Sequence, residues 1–371
     1  MRGKLKKMAP AAIASLVAMT SYLNAADSNS AQMRNLENRV HALENKKNAN
    51  GMINPPARPL VNNGCGFGFS VEADVLLWQA HENNLGFVIE SKPAASLLTG
   101  GESTVKRPNF EWNWGFRAGI DFDLPHDNWD IDLTWTWMHG HANRVVHANA
   151  DHSLVPTRGA PAEIVGSTVQ RAKDSWSVKL NVLDLDIGRD FFVSKYLTFR
   201  PFVGLRSAWI RQKFDNHYRG LSNGLFEYEV NDRCRYWGLG LLAGLDTQMN
   251  IGQGVSVYAK ADVALLNGFF SVKKKEQSTA TATASELDII DLSDNDRIGR
   301  AITDLELGLR YDVLFCEERF HLGFSLGWEH HMFFGQNQFL QFADNIATGV
   351  EFANQGDLTF QGWTLAARFD F

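Results

Sequence analysis

The end of the chain alternates between apolar and polar side chains. One face of this segment carries Trp363, Leu365, Ala367, Phe369 and Phe371, and the other carries Gly362, Thr364, Arg368 and Asp370. Because successive side chains of a strand point to opposite faces, one face meets an apolar medium and the other meets water. A strand of this kind that ends on an aromatic residue is typical of outer-membrane proteins. We therefore predict an all-β fold, a transmembrane antiparallel up-and-down β-barrel.

The start of the chain predicts a secretory signal peptide over residues 1–25. Basic residues precede an apolar run at residues 8–19, and the small residues Ala25 and Ala26 suit cleavage. The apolar run is too short for a bilayer core of about 30 Å, which needs roughly 20 residues. No later apolar stretch is long enough for a spanning helix, so the mature chain must cross a membrane as strands.

Two short segments separate the predicted signal peptide from the predicted barrel at residues 65–371. Residues 26–50 contain apolar residues at coiled-coil spacing, namely Met33, Leu36, Val40 and Leu43. This short periplasmic helix fits two interpretations, a solvated amphipathic helix and a contact that helps to hold a homo-oligomer together. Residues 51–64 contain three prolines and are expected to form an extended linker.

Composition agrees with strands that have one apolar and one polar face. Aromatic residues make up 12% of the chain, with 11 Trp and 25 Phe, yet the mean hydropathy is only -0.23. The net charge is -6, and the sequence has no basic cluster of the kind that tracks phosphates. We therefore expect no nucleic-acid partner.

Alternation predicts ten strands, at residues 67–78, 110–124, 129–138, 175–190, 197–213, 234–249, 255–270, 301–315, 320–333 and 358–371. The phase of the fourth strand slips between Val182 and Leu183, which predicts a β-bulge. Residues 85–90 are the best candidate for a further strand, so twelve strands remain an alternative. Short connections alternate with long ones, as periplasmic turns alternate with outer loops, and an even strand number places both termini in the periplasm.

The predicted inward face of the barrel is charged, with both signs present. Its members, the candidate pore-lining residues, are Glu72, Asp74, Arg117, Asp121, Asp130, Asp132, Arg200, Arg206, Lys260, Asp262, Asp304, Glu306, Arg310, Asp312 and Arg368. Closure of ten strands gives a backbone diameter of roughly 22 Å, of which inward side chains occupy about half. Such residues line an open pore in some barrels and form salt bridges across a plugged lumen in others. Both arrangements remain open at this stage.

The sequence gives little support for catalysis or metal binding. The carboxylate pairs Asp130/Asp132 and Asp184/Asp186 are what any polar lumen produces at a period of two. The histidines near the predicted outer rim, His139, His141, His147 and His152, match no established zinc spacing. A phosphate-loop motif does not occur. We expect no enzyme activity, no metal and no cofactor; a hydrolase at the barrel rim is the weakest alternative.

Three cysteines are an odd number for an oxidising compartment. Cys65 and Cys316 are predicted on the same side of the membrane, whereas Cys234 is predicted near the outer rim. A bridge between Cys65 and Cys316 is a hypothesis, because spacing alone does not establish the approach that a disulfide requires.

Several strand motifs resemble the Legionella-type major outer membrane protein family, which also occurs in chlamydia-related bacteria. The matching segments are Gly66-Phe-Gly-Phe-Ser-Val-Glu-Ala-Asp-Val-Leu-Leu-Trp78, Trp114-Gly-Phe-Arg-Ala-Gly-Ile120, Trp129-Asp-Ile-Asp-Leu-Thr-Trp135, Pro201-Phe-Val-Gly-Leu-Arg206 and the Phe371 terminus. The resemblance implies a pore in the bacterial outer membrane, exposed loops at the cell surface and, in some members, attachment to host cells. The terminus also resembles the signal that barrel assembly machinery reads, carried here by Trp363, Leu365, Phe369 and Phe371.

The leading hypothesis is a porin-like channel for passive diffusion of small hydrophilic solutes and ions. Its expected partners are outer-membrane lipid, the barrel assembly machinery and further copies of the chain. The alternative is a closed-barrel surface protein or adhesin, whose long outer loops bind a host or cell-envelope ligand.

Overall fold

The computed structural model describes residues 68–92, 102–124, 127–164, 166–281, 285–316, 319–342, 351–352 and 356–371. The predicted signal peptide, the coiled-coil segment and the linker lie outside the described residues, and so does Cys65. Within the described part of the chain, no helix is long and apolar enough to cross a membrane.

Ten antiparallel strands form one closed barrel. They are β1 (Gly68–Glu82), β2 (Trp112–Asp123), β3 (Trp129–His147), β4 (Arg171–Arg189), β5 (Leu197–Arg219), β6 (Glu227–Gly252), β7 (Val255–Thr279), β8 (Leu287–Phe315), β9 (Phe320–Phe333) and β10 (Leu358–Asp370). Each strand pairs with the next along the chain, and β10 pairs with β1, where Phe369 lies opposite Val71. The predicted up-and-down barrel is confirmed.

The two ends of the barrel differ in how the strands are connected. At one end, here called the turn end, β6 and β7 are separated by only residues 253–254, and β8 and β9 by residues 316–319. At the other end, here called the loop end, residues 83–111 and 334–357 connect successive strands. The predicted alternation of short and long connections holds only in part, because residues 220–226 and 280–286 both make short connections at the loop end, and the long loop expected at residues 272–300 is mostly strand.

Several strands extend further toward the loop end than alternation predicted. β8 begins at Leu287 rather than at residue 301, because its backbone stays paired with β7 through polar positions such as Ser293 opposite Lys273. The additional strand expected at residues 85–90 is found at Val88–Lys92, but it pairs with Glu102–Lys106 and Ser153–Pro156 in a separate three-stranded sheet. The barrel itself therefore has ten strands and not twelve.

The β-bulge predicted in β4 is wrong. Val182 lies opposite Ala208 and the next residue, Leu183, lies opposite Ser207, so the register with β5 continues without a shift. The register with β3 is continuous as well. The apparent phase slip therefore has a different origin, which is a change in the chemistry of each face.

Even-numbered residues of β4 point into the barrel along its whole length. Near the loop end they are apolar, as at Leu180 and Val182, and near the turn end they are acidic, as at Asp184 and Asp186. The outward residues change in the opposite sense, from Lys179 and its polar neighbours to apolar residues. The barrel thus has a turn half with a charged interior and an apolar exterior, and a loop half with a polar exterior and a mainly apolar interior that also buries charged side chains such as Asp174, Asp232 and Glu276.

The exterior of the turn half forms an apolar band. Its exposed side chains include Val75, Ile120, Leu133, Leu185, Leu205, Leu241, Leu265, Leu307, Leu326 and Leu365. Aromatic residues border the band on both sides. Trp114, Trp209, Trp237, Trp328 and Trp363 lie toward the loop end, and Trp129, Phe191, Tyr196, Phe315 and Phe371 lie toward the turn end. Two aromatic girdles around an apolar belt are the arrangement of a barrel in a bilayer.

Candidate functional site: the charged lumen

The luminal face of the turn half brings the predicted pore-lining residues together. Fourteen of them line a single cavity of about 230 Å³: Glu72, Asp74, Arg117, Asp121, Asp130, Asp132, Arg200, Arg206, Lys260, Asp262, Asp304, Glu306, Arg310 and Arg368. The remaining one, Asp312, is buried beside the wall, where its carboxylate contacts Arg310 at 2.8 Å and His321 at 2.9 Å. Strand alternation therefore placed these residues correctly in the lumen. Their role in conduction is a proposal.

Arg200 on β5 forms ion pairs with three carboxylates from three other strands. Its guanidinium donates to Asp130 at 2.7 Å, to Asp186 at 2.7 Å and to Asp246 at 3.0 Å. These acids come from β3, β4 and β6, so one arginine ties together four of the ten strands. Because Arg carries five donors in a planar fork, it can serve several carboxylates at once.

Arg206 lies six residues further along β5 and makes a similar centre. It donates to both carboxylate oxygens of Asp184 at 2.8 Å, and Nη1 reaches Asp304 at 2.5 Å and Asp262 at 3.2 Å. Asp304 belongs to β8, which is three strands away around the barrel. This contact therefore bridges the lumen and does not merely follow the wall.

A second bridge continues from Asp304. The two ring nitrogens of His331 lie 2.8 Å from Asp304 and 2.7 Å from Glu329. Glu329 in turn accepts hydrogen bonds from Arg117 at 2.6 and 3.0 Å, and Arg117 donates to Asp74 at 3.1 Å. Since both nitrogens of His331 face carboxylates, an imidazolium that donates from both satisfies the arrangement.

These contacts make one continuous row of ion pairs across the barrel, here called the luminal chord. Its members, in order, are Asp184, Arg206, Asp304, His331, Glu329, Arg117 and Asp74. Charges alternate in sign along the row, and the strands that supply it are β4, β5, β8, β9, β2 and β1. The chord joins opposite walls and divides the lumen at mid-height.

The cavity contains polar side chains that are outside the chord. Lys260 extends its ammonium to 5.1 Å from the ring centroid of Phe202, and the Tyr258 hydroxyl donates to Glu306 at 2.6 Å. Arg368 donates to Asp121 at 2.5 Å and to Asp370 at 2.7 Å. Acids outnumber bases among the side chains that line the cavity.

Apolar side chains fill the lumen immediately beyond the chord. Trp78 lies 4.5 Å from His331 between ring centroids, and Arg117 is 5.6 Å from the Trp78 ring. The layer above it is fully or almost fully buried and consists of Leu76, Met138, Leu180, Ile210, Leu242, Leu266, Ile302 and Phe360. The apolar side chains of this layer offer ions no hydration partners, and polar side chains such as Glu82 and Gln212 are buried nearer the loop end.

Segments from the loop end pack on top of this layer. Tyr218 donates from its hydroxyl to the carbonyl of Phe87 at 2.6 Å, and the ring of Phe339 lies 6.0 Å from that of Phe214. Arg158 is buried and donates to the carbonyl of Gly86. The loop residues Phe87, Arg158 and Phe339 are here called the loop plug. They cover the apolar layer from the loop end.

The carboxylate pairs noted in the sequence are part of the ion-pair system. Asp130 and Asp186 are both bound by Arg200, and Asp184 is bound by Arg206. Asp132 accepts a hydrogen bond from Thr134 at 2.7 Å. The arginine contacts give three of these four acids a structural partner.

The rim histidines do not converge on one point. His141 lies 3.0 Å from Glu111, and His152 lies 3.2 Å from Glu90 in the three-stranded sheet. Within the described ranges, one group of three possible metal ligands occurs elsewhere, at His217, Glu227 and Glu229. Arg219 already donates to Glu227 at 2.8 Å, so these side chains are explained as an ion-pair cluster.

The other sequence predictions concern the strand ends. Trp363, Leu365 and Phe371 are exposed on the outer face of β10, where the assembly machinery is expected to read them. Cys234 is buried in the loop half and Cys316 is exposed at the turn end, while the pairing of Cys65 lies outside the described residues. The role of Met33, Leu36, Val40 and Leu43 in an oligomer also stays a prediction.

Three members of the chord, Asp184, Glu329 and His331, were not among the candidate pore-lining residues. Glu329 and His331 lie within the predicted strand at residues 320–333, on the same inward face as Phe333. Alternation alone would have placed them in the lumen. Their role was not visible, because their partners Asp304 and Arg117 come from strands that are distant in the sequence.

One protein family matches most of this chain. Residues 66–371 match the family described as the Legionella pneumophila major outer membrane protein precursor. Similar solved structures include the outer membrane protease OmpT from Escherichia coli, with 9% identity, a TM-score of 0.39 and coverage of 82% of this chain and 96% of that chain. A major outer membrane protein from Thermus thermophilus has 11% identity, a TM-score of 0.31 and coverage of 82% and 99%. The P. putida toluene transporter TodX has 9% identity, a TM-score of 0.28 and coverage of 86% and 92%. A search of curated proteins found no match.

Proposed function

This chain belongs to the Legionella pneumophila major outer membrane protein family, and from that premise we propose that it is an outer-membrane channel for small hydrophilic solutes and ions. The proposal takes the conformation described here as the closed state of that channel. The proposal includes an orientation in which the turn end faces the periplasm and the loop end faces the cell exterior, as in other barrels with short turns and long loops.

The charged cavity of the turn half is the observation that carries the proposal. The fourteen predicted charged residues, together with others such as Asp184, Asp186, Asp246 and Glu329, surround about 230 Å³ of space inside an apolar exterior band. A barrel that served only as a scaffold would gain more stability from an apolar core, because taking ion pairs out of water costs several kcal/mol per ion. A polar wall of both signs is what a path for hydrated ions requires.

Opening requires two changes, and each has a physical basis. The chord can exchange its ion pairs for water, since its charged groups are well solvated once water reaches them. The loop plug is held by contacts such as the hydrogen bond from Tyr218 to the Phe87 carbonyl, and its displacement would uncover the apolar layer. We propose that openings are brief and that the closed state is the more populated one.

Single-channel conductance of the refolded mature protein in a planar bilayer tests the proposal. His331→Ala breaks the chord between Asp304 and Glu329 and should increase the frequency of openings. His330→Ala is the matched control, because His330 is the neighbouring residue and points outward from β9. Reversal of Arg310, which lines the cavity, should shift the ion selectivity of the open state toward cations.

A barrel that folds but never conducts, in the parent or in His331→Ala, would refute the channel. Equal effects of His331→Ala and His330→Ala would refute the gating role of the chord while leaving conduction intact. Folding is checked in every case by the mobility shift of an unheated sample during electrophoresis.

The second candidate is a closed-barrel surface protein that binds a host or cell-envelope ligand. The continuous buried layer above the chord favours it, because that layer separates the cavity from the loop end. Replacing residues 343–350 with a Gly-Ser linker leaves the described strands unchanged and tests this candidate. Loss of binding to host cells, together with absent conductance, would support it.

We propose no catalytic role. Three of the four paired acids that suggested acid-base chemistry, Asp130, Asp184 and Asp186, are engaged by Arg200 and Arg206 at 2.5 to 2.8 Å. A carboxylate held in this way is poorly placed to exchange a proton with a substrate.

A further inference from the structure

The exterior of the loop half carries two adjacent rows of basic side chains. In the first row, Lys179 on β4 lies opposite Arg211 on β5, which lies opposite Arg235 on β6. In the second row, Lys213 on β5 lies opposite Arg233 on β6, which lies opposite Lys273 on β7. These six residues are here called the basic half-belt.

The half-belt places like charges side by side. Residues directly opposite on neighbouring strands have Cβ atoms about 4.5–5.5 Å apart, and like charges at that distance destabilise a sheet. Arg233 pairs with Asp215, but among the described residues no ion pair is formed by the other five. Lys179, Lys213, Lys273, Arg211 and Arg235 are also exposed. The cluster therefore leaves most of its positive charge without a counter-charge from the protein.

The half-belt is restricted to one side of the barrel. On β1, the outward residues beyond the apolar band are Gln79 and His81, and on β10 they are Gln361 and Thr359. A general need for solubility at the loop end would be met by polar residues all around the barrel, as it is on β1 and β10. The side formed by β4 to β7 instead concentrates basic residues, which indicates a ligand with negative charge.

The position of the half-belt relative to the membrane identifies the class of ligand. Trp209 on β5 and Trp237 on β6 are each followed, at the next outward position toward the loop end, by Arg211 and Arg235. The Trp237 ring stacks on Phe269 at 5.5 Å and belongs to the aromatic girdle. A ligand that covers both features has apolar chains against the girdle and an anionic group immediately beyond them.

We propose that the basic half-belt binds the anionic phosphate headgroups of lipids in the leaflet at the loop end. The acyl chains of such a lipid lie against Trp209, Trp237 and Phe269, while its phosphate accepts hydrogen bonds from the arginine and lysine side chains. Charge-assisted hydrogen bonds between arginine and phosphate suit this geometry. A soluble polyanion would match the charges but would leave the adjoining apolar girdle unused.

Tryptophan quenching by brominated lipids tests the inference. The refolded protein is placed in vesicles that mix phosphatidylcholine with phosphatidylglycerol, with bromine on one lipid or the other. The difference between the parent and a Trp209→Phe, Trp237→Phe variant isolates the signal from the girdle below the half-belt. Basic residues near a membrane surface each favour anionic lipid by about fivefold, so we expect a preference of at least about tenfold for phosphatidylglycerol at low salt.

The triple variant Lys179→Gln, Arg211→Gln, Arg235→Gln removes the row nearest the girdle and should reduce the preference by at least about fivefold. The control variant Lys173→Gln, Arg219→Gln removes outward cations of β4 and β5 that lie further from the girdle, and it should keep the preference. Equal quenching by both lipids in the parent, or equal losses in both variants, would overturn the proposal. Inhibition by inorganic phosphate at constant ionic strength would also overturn it, since it would show a site for free anions.

Discussion

Replacing Arg206 with glutamine should destabilise the barrel strongly. The substitution removes the bidentate contact with Asp184 and the bridges to Asp262 and Asp304, and it leaves three carboxylates close together. Breaking a buried ion pair by removing one partner costs about 3–5 kcal/mol. Asp304 keeps His331 as a partner and the Asp184 side chain is 17% exposed, so we expect the lower end of that range, about 3 kcal/mol.

Arg310→Gln is the matched control for this prediction. Arg310 is also an arginine of the cavity wall, but its side chain is 20% exposed and its carboxylate partner, Asp312, keeps His321. The loss should therefore be about 0.5–1 kcal/mol, as for partly exposed ion pairs. The measurement is urea unfolding in lipid vesicles followed by tryptophan fluorescence, with coincident unfolding and refolding curves as the condition for an equilibrium value.

A further variant separates the loss of attraction from the repulsion left behind. Adding Asp184→Asn to Arg206→Gln removes one of the unpaired carboxylates and should recover about 1 kcal/mol, a coupling typical of residues in contact. If Arg206→Gln lies within the range of Arg310→Gln, the chord is not a stabilising element. In that case the short distances from Arg206 to Asp184 and Asp304 do not contribute measurably to the free energy of unfolding.

Three other predictions concern the loop sheet, assembly and oligomer formation. The Lys106 ammonium lies 2.6 Å from Glu90 and lowers the pKa of that carboxyl below its usual range. The contact therefore stabilises the three-stranded sheet above the ordinary carboxyl pKa of about 4.3, and the stability is lost as the pH falls through the lowered value. Hydrogen exchange of the Val88–Lys92 strand, corrected for intrinsic rates, should accelerate below about pH 4 in the parent and show no such step in Glu90→Gln; a step in both would contradict the assignment. Deleting Phe371 should impair insertion into the outer membrane while leaving export to the periplasm intact, and a normal yield of heat-resistant barrel would be the contrary result. Replacing Leu36 and Val40 with aspartate should weaken crosslinking between copies without unfolding the barrel, whereas unchanged crosslinking would remove the role of that segment in an oligomer.

The fold could be predicted from alternation because each strand of a membrane barrel has one face toward lipid and one face toward the lumen. On β2, Trp114 and Ile120 mark the lipid face, and Arg117 and Asp121 mark the lumen, with no information needed from other strands. The same rule placed Lys260, Glu306 and Arg368 in one cavity. Local pattern was therefore sufficient to locate the ten strands of the barrel and most of the charged residues of the lumen.

Alternation was insufficient wherever polarity changed along a strand. The apparent slip at Val182 arises because the lumen changes from apolar to acidic while the register stays constant. A bulge and a change of environment produce the same local pattern, and only the hydrogen-bond partners on β3 and β5 distinguish them. For the same reason the polar ends of β7 and β8 were interpreted as loops.

The chord was beyond the reach of sequence reasoning for a different cause. The contact between Arg206 and Asp304 depends on which walls face each other across the lumen and on how far the side chains extend. Those quantities follow from the tilt and stagger of the closed barrel, which no single strand encodes. Likewise, the plug depends on where Phe87 and Phe339 fold, and loop sequences carry no periodic pattern that would show it.

The reversal of polarity along the strands also means that the protein is adapted to two solvents at once. The turn half has a lipid-facing exterior and a charged interior, and the loop half has a water-facing exterior and a mainly apolar interior, built on the same hydrogen-bonded strands. On the outward face of each strand, charged substitutions should therefore be tolerated in the loop half and not in the turn half. On β5, a charged residue in place of the outward Leu205 would meet hydrocarbon, whereas Lys213, further along the same face, already carries charge into water. Inward positions obey the opposite rule, so a substitution profile measured in one half would mislead if it were applied to the other.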